Sequence, residues 1–310
     1  MNVFKFKSGS SSASTKSAAT SINYGPITNE PILTAPKDYE PAMNAPLTEE
    51  QTQKIKDLLA YMDTIILSKE DAYYPNERGF LSDATAHRYM RARKWNFEAA
   101  KTMLEKTVHW RREFKPEQLD PDTISKEAET GKMYFNGYDK MGRPLWIMKP
   151  RYENSKDSDG QVNFIVFCLE RGIRLMPEHV EKISIVVDFK DSSMSNNPTV
   201  ATCRRFLDIL SNHYPERLGV AYLINSPWFF TTTFKMIAPF MDPITKEKIR
   251  FLSTDANVED QDLAKSDGPI ALDQLEAGLG GRYNFAFDMP TYWNRLLETT
   301  GKPYKVIEYK

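Results

Sequence analysis

Two oppositely charged side chains stand where a polar turn gives way to an apolar run. Glu216 lies in the segment Tyr214-Pro215-Glu216-Arg217, just before Val220–Asn225, and Lys248 immediately precedes Ile249–Ser253. If both runs are strands of one parallel sheet, the residues that lead into them share its N-terminal edge, and the sequence predicts that this carboxylate and ammonium meet there. Two readings follow. An exposed ion pair contributes only about 0 to 1 kcal/mol. A pair beside an apolar cavity suits a ligand with a charged head and greasy tails. Arg91, Arg93 and Lys94, at the end of a helical pattern, are either a second cationic group for such a head or a solvated helix face.

Known catalytic signatures are absent. The sequence has no Gly-x-Gly-x-x-Gly, no Gly-x-x-x-x-Gly-Lys-Ser/Thr, no Gly-x-Ser-x-Gly and no Cys/His cluster at zinc spacing. His87, His109, His179 and His213 are scattered, so they read as surface or capping residues. The chain is expected to be a non-enzyme without cofactor or metal. A hydrolase using Glu216 and His213 is the weakest alternative.

The elements that must position these groups change character along the chain. Residues 1–45 are rich in Ser, Ala, Thr and Pro, with Lys5, Lys7 and Lys16 and no acid before Glu30, and are expected to form a disordered tail. Residues 46–120 form a helical subdomain. Thr48 and Gln51 make a capping box, and Ser82 or Asp83 and then Asn96 cap two further helices. Phe97, Ala100, Met103, Leu104, Thr107, Val108 and Arg111 follow the spacing of one helical face. Residues 121–310 alternate between strand and helix patterns. Strands are expected at Pro144–Met148, Ile183–Phe189, Val220–Asn225 and Ile249–Ser253, with helices near 160–177, 198–212 and 228–241, which predicts an α/β fold with a mainly parallel sheet.

Two stretches carry unusual apolar patterns. In the run from Ile183 to Asp188, Ile183, Ile185 and Val187 share one face. Around Trp228, Phe229, Phe230, Phe234, Met236, Ile237, Phe240 and Met241 the helix is greasy nearly all round, with Lys235 its only charge. Such a helix is either core or a lid that alternates between a pocket and a bilayer interface.

At 310 residues with 41% hydrophobic and 27% charged residues, the composition is that of a soluble globular protein with room for a large core. A formal charge of -1 gives no global field for nucleic acid or anionic membranes. No apolar run reaches the roughly 20 residues that span a bilayer. Cys168 and Cys203, both in apolar helical contexts, read as buried thiols in a reducing compartment.

The segments YMRARKW (89–95), WRREF (110–114), YDKMGRP (138–144), VVDFKD (186–191), HYPERLG (213–219) and PFMDPITKEKI (239–249) are similar to those of the CRAL-TRIO lipid-transfer proteins. The resemblance covers residues 47–300 and is nearest to fungal phosphatidylinositol transfer proteins of the yeast secretory type. It implies a helical N-terminal subdomain on a lipid-binding domain whose sheet floors an apolar pocket. Ile183, Ile185 and Val187 are then the floor, and the helix from Trp228 to Met241, with Phe229, Phe230, Phe234, Ile237 and Phe240, is the gate. It further implies that Arg93, Glu216, Thr245 and Lys248 bind a phosphatidylinositol head group.

One departure narrows the ligand. Members that also bind phosphatidylcholine carry hydroxyl residues where this chain has Ile183 and Ile185, so the resemblance points to the branch that pairs phosphatidylinositol with a sterol or another apolar lipid. The expected activity is exchange of a lipid monomer between membranes by a cytoplasmic, transiently membrane-associated carrier, at the endoplasmic reticulum or lipid droplets. The alternative is a sensor that presents phosphatidylinositol to a lipid kinase.

Overall fold

The computed structural model describes residues 24–196, 199–252, 263 and 268–301, without the side chains of Asn196, Thr231, Thr233 and Phe240. The first 23 residues of the expected tail lie outside that set. Its remainder, residues 24–45, runs as an extended strap rather than a disordered segment. The Ile32 N–H donates to Asn136 Oδ1 (2.8 Å) and its carbonyl accepts from the Gly137 N–H (2.9 Å). Thr28 exchanges backbone hydrogen bonds with Asn284 and Ala286, and Leu33 is buried. Composition understated this order because the strap's partners are distant backbone groups.

The helical subdomain forms as its caps predict. Helix α1 (Glu49–Ile65) closes the Thr48/Gln51 box in both directions, and α2 (Tyr74–Phe80) is an addition the pattern did not reveal. Of the two candidate caps for α3 (Asp83–Ala92), Ser82 is the one used. Helix α4 (Phe97–Phe114), capped by Asn96, buries Ala100, Met103, Leu104, Thr107, Val108 and Arg111, while Phe97 stays half-buried. Helix α5 (Pro121–Ala128) then packs against the sheet-bearing part.

Five strands follow in the order β1 (Met133–Tyr138), β2 (Pro144–Met148), β3 (Ile183–Asp188), β4 (Leu218–Ile224), β5 (Ile249–Phe251). All neighbours pair in parallel except β1 with β2. The antiparallel β1 is hidden in the sequence by Asn136 and Gly137. At φ +86° any side chain at Gly137 would strike the Gln274 carbonyl, 1.9 Å from the Cβ position. The crossovers are α6 (Ser158–Leu175), α7 (Val200–His213), and α8 (Trp228–Ile237) with α9 (Pro243–Glu247); α10 (Met289–Thr300) packs on α6. Short connections through helices are what parallel neighbours require.

A buried polar network fastens the two parts together. Arg111 on α4 donates to Glu117 (2.5 Å) and to Glu170 on α6 (3.0 Å); Glu117 also accepts from Tyr73 and Glu170 from Tyr214. A buried ion pair adds little net stability, yet it fixes geometry because breaking it strands a charge. Tyr214, the start of the charged turn, is thereby held against α4. Both cysteines are free, Cys168 buried and Cys203 half-buried, and among the described residues no helix is long and apolar enough to cross a membrane.

Candidate lipid site

The charged turn enters β4 under two constraints. Tyr214 is anchored by Glu170, and Arg217 Nη1 donates to the Glu181 carbonyl (2.9 Å). Between them Glu216 adopts φ +61°, a left-handed conformation uncommon for a residue with a Cβ. A second such turn ends α3, where Arg93 is the C-cap and Lys94 and Trp95 follow at φ +50° and +62°. Arg91 in the last turn of α3 pairs with Glu181 at 2.5 Å, which brings this helix end to the N-terminal edge of β3.

These turns border a cavity of about 520 Å3, within the size range of small-molecule sites. Arg93, Glu216, Thr245 and Lys248, the four residues expected at a head group, all line it. Its inner wall is apolar: Met103 of α4, Trp146 of β2, Ile183 and Ile185 of β3, and Leu207 and Leu210 of α7. Among the described residues no carboxylate lies within 4 Å of Arg93, Lys94 or Lys248, whereas Arg91 is neutralised by Glu181. Arg93 and Lys94 therefore leave positive charge at the mouth, and Lys248 adds to it while sharing the field of Asp242.

One expectation is corrected by this geometry, and two other groups of residues are placed relative to the cavity. First, Glu216 pairs with Lys182 (3.7 Å), not with Lys248. Register explains why. Ile183 lies beside Leu218, which sets Lys182 level with Arg217, but Ala221 lies beside Ile249, which sets Lys248 level with Val220. Lys248 therefore stands three residues further along β4 than Lys182 does. Lys182 was missed in the sequence; comparing the residue that precedes each parallel strand is the signal that finds it.

Second, Val187 shares the face of Ile183 and Ile185 and is half-buried, but lies further along β3, beyond the lining of this cavity. Third, the outer wall of this cavity, Met241 to Thr245 and Lys248, lies around α9, the element that follows α8 in the chain. Helix α8 rests on the opposite end of the sheet. Phe230 packs on Phe189 (ring centroids 4.1 Å) and Phe234 on Phe251 (5.2 Å), Ile237 is buried, and Phe229 is half-buried. Trp228 is 77% exposed and Met236 49%. The Phe240 side chain lies outside the described residues.

Within α9, Asp242 is the N-cap and accepts from the Thr245 N–H (2.9 Å) and hydroxyl. Burial opposes ionisation of Asp242, but the Thr245 hydroxyl, two backbone N–H groups and Lys248 hold its carboxyl below the usual range. Lys182 is driven the other way. Burial pulls its ammonium down, Glu216 opposes this, and Lys248, Arg143 and Arg91 add to the fall. His213 does not join Glu216 as a dyad facing the cavity: its ring stacks on Trp110 and its Nδ1 faces the Thr107 hydroxyl at 3.2 Å.

Comparison with known proteins gives the same outline. The CRAL/TRIO domain matches residues 128–281, and the CRAL/TRIO N-terminal domain matches residues 54–106. A CRAL-TRIO domain-containing protein of Schizosaccharomyces pombe is 38% identical over 259 residues, which span 81% of this chain but 25% of that protein. Phosphatidylinositol transfer protein PDR17 of Saccharomyces cerevisiae is 34% identical over 274 residues, 80% of this chain and 75% of the relative. The SEC14 cytosolic factor of Kluyveromyces lactis is 29% identical over 255 residues, 76% and 79% of the two chains. The crystal structure of Sfh5 superposes with a TM-score of 0.60 over 86% of this chain and 96% of that one, at 17% identity, a likeness of fold alone. With the helical and sheet-bearing parts matched in their family order, and PDR17 covered over three quarters of its length, the chain belongs to the CRAL-TRIO family.

Proposed function

We propose that this protein is a phosphatidylinositol transfer protein that binds one lipid monomer and exchanges it between membranes. The observation that carries this reading is the union, in one cavity, of a mouth lined by Arg93, Lys94 and Lys248 and an apolar inner wall. Arg93 and Lys248 make charge-assisted hydrogen bonds to the anionic phosphodiester, Thr245 contacts head-group oxygens and Glu216 accepts from ring hydroxyls. Acyl chains lie on Ile183 and Ile185. Each buried methylene is worth about 0.8 kcal/mol in the cavity as in the bilayer, so the site need only match the membrane for exchange to proceed. Opening of α8, which draws with it the Met241–Thr245 wall that follows in the chain, presents Trp228 and its neighbouring aromatics to the interface and lets the lipid pass.

The second ligand is a sterol or another apolar lipid and not phosphatidylcholine, because Ile183 and Ile185 offer no hydrogen bond to a choline phosphate. The protein acts as a cytoplasmic carrier with transient membrane contact and no catalytic step of its own. Relatives named phosphatidylinositol transfer proteins support this reading. Mass spectrometry of lipid extracted from the purified protein is expected to find phosphatidylinositol or a sterol, intact and stoichiometric. In a two-vesicle assay without any kinase, Lys248→Ala should lower phosphatidylinositol transfer about 10- to 100-fold, the equivalent of one lost hydrogen bond to a charged group. Unchanged transfer would remove Lys248 from the head-group site.

A further inference from the structure

We infer that Lys182 is a positioning residue of the lipid site, which neutralises and orients Glu216 so that its carboxylate serves head-group hydroxyls instead of repelling the phosphodiester. The inference rests on the proposed binding of phosphatidylinositol in this cavity. It starts from a difficulty that the site itself raises. A carboxylate at the mouth of a pocket for an anionic lipid is unfavourable unless a cation compensates it, and among the described residues the cation within 4 Å of Glu216 is Lys182 and not Lys248.

Lys182 is placed to do so. It is the residue before β3, level with Arg217, and its Nζ lies 3.7 Å from Glu216 Oε2, with 34% and 22% of the two side chains exposed. At that separation and burial the pair is screened less than a surface pair. The flanking backbone does not let Glu216 choose another partner freely, since Tyr214 and Arg217 are tied on either side and Glu216 itself sits at φ +61°. Lys182 is in turn surrounded by Lys248, Arg143 and Arg91, so Glu216 is the group that makes its charge tolerable. The two form a matched unit. Arg93 and Lys248 stay available to the phosphate, and the unit adds no net charge.

The test measures phosphatidylinositol binding and transfer by the full chain with vesicles containing phosphatidylinositol, for wild type, Lys182→Met, Lys182→Arg, Glu216→Gln and the Lys182→Met/Glu216→Gln double variant. Lys182→Met should weaken binding about tenfold, and Lys182→Arg should restore it to within about twofold, with thermal unfolding of both close to wild type. Raising salt from about 0.1 M to about 1 M, which cuts the screening length from roughly 10 Å to 3 Å, should narrow the gap between Lys182→Met and wild type. In the Glu216→Gln background, Lys182→Met should change binding less than about twofold, because no charge is left to compensate.

Wild-type binding by Lys182→Met, failure of arginine to rescue, or a gap that salt does not narrow would each overturn the inference. A full loss on top of Glu216→Gln would do so as well, by showing that Lys182 meets the lipid itself. A wild-type protein that neither binds nor transfers phosphatidylinositol would instead overturn the proposed function, and this inference with it.

Discussion

Trp110 lies flat against His213, with ring centroids 4.4 Å apart and planes inclined by 5°. The imidazole is thus enclosed by an aromatic face on α4 and by the Thr107 hydroxyl. Burial pushes its pKa down from 6.5 to about 4, against a smaller upward pull from Asp208. The unfolded chain therefore takes up a proton near pH 6.5 that the folded chain resists until about pH 4. The stability that His213 contributes is complete above pH 6.5 and declines as pH falls through that window. Thermal unfolding should accordingly drop between pH 7 and pH 5, and His213→Phe, which keeps the stack, should flatten that part of the profile.

Ile185 offers a direct test of ligand choice. It is half-buried and lines the cavity, so Ile185→Thr adds a hydroxyl without opening a large void. The variant should keep phosphatidylinositol transfer and gain measurable phosphatidylcholine pick-up from mixed vesicles. Lack of any choline lipid would show that the missing strand hydroxyl is not what excludes it.

The Phe189–Phe230 contact holds α8 on the sheet. Removing such an aromatic pair costs about 0.5–1.5 kcal/mol beyond lost area. Phe230→Ala should speed amide hydrogen exchange in α8 and shorten the residence time of bound lipid while leaving exchange in α4 unchanged. Equal protection in wild type and variant would argue against α8 as the element that opens.

Gly172 marks the closest approach of α6 to the sheet. A Cβ there would lie 2.5 Å from Phe135 Cζ and 2.8 Å from Ile183 Cδ1. The Phe135 ring is itself stacked on Trp146, so it has little freedom to yield. Gly172→Ala should destabilise the fold by about 1–3 kcal/mol, the usual cost of overpacking, read as a lower urea midpoint at unchanged slope.

Local signals carried the fold well where they were redundant. Thr48 with Gln51 and Asn96 with its heptad-like face leave one structural solution each, and the β2–β5 runs are apolar enough to stand out. Strand β1 was illegible because its Asn136 and Gly137 read as turn residues, although both are explained by the strap and by Gln274 that press on them. That Arg93, Glu216, Thr245 and Lys248 come to one cavity was legible through the resemblance carried by the motifs. Their pairing was not. Which lysine faces Glu216 depends on the stagger of β3, β4 and β5, and that stagger is set by long-range register rather than by any local pattern.

The strap has a consequence for the order in which the protein is made. Asn29 donates to the carbonyl of Ala286, a contact 257 positions apart in the chain. During synthesis the strap emerges well before the residues at 284–286 that it binds. Its Tyr39, the residue that seats on Gly142, must wait uncovered only until the β1–β2 hairpin appears, but the hydrogen bonds of Thr28 and Asn29 cannot form until Asn284 and Ala286 have been made. The strap is therefore fastened in two stages, first on the β1–β2 hairpin and then on residues 284–286.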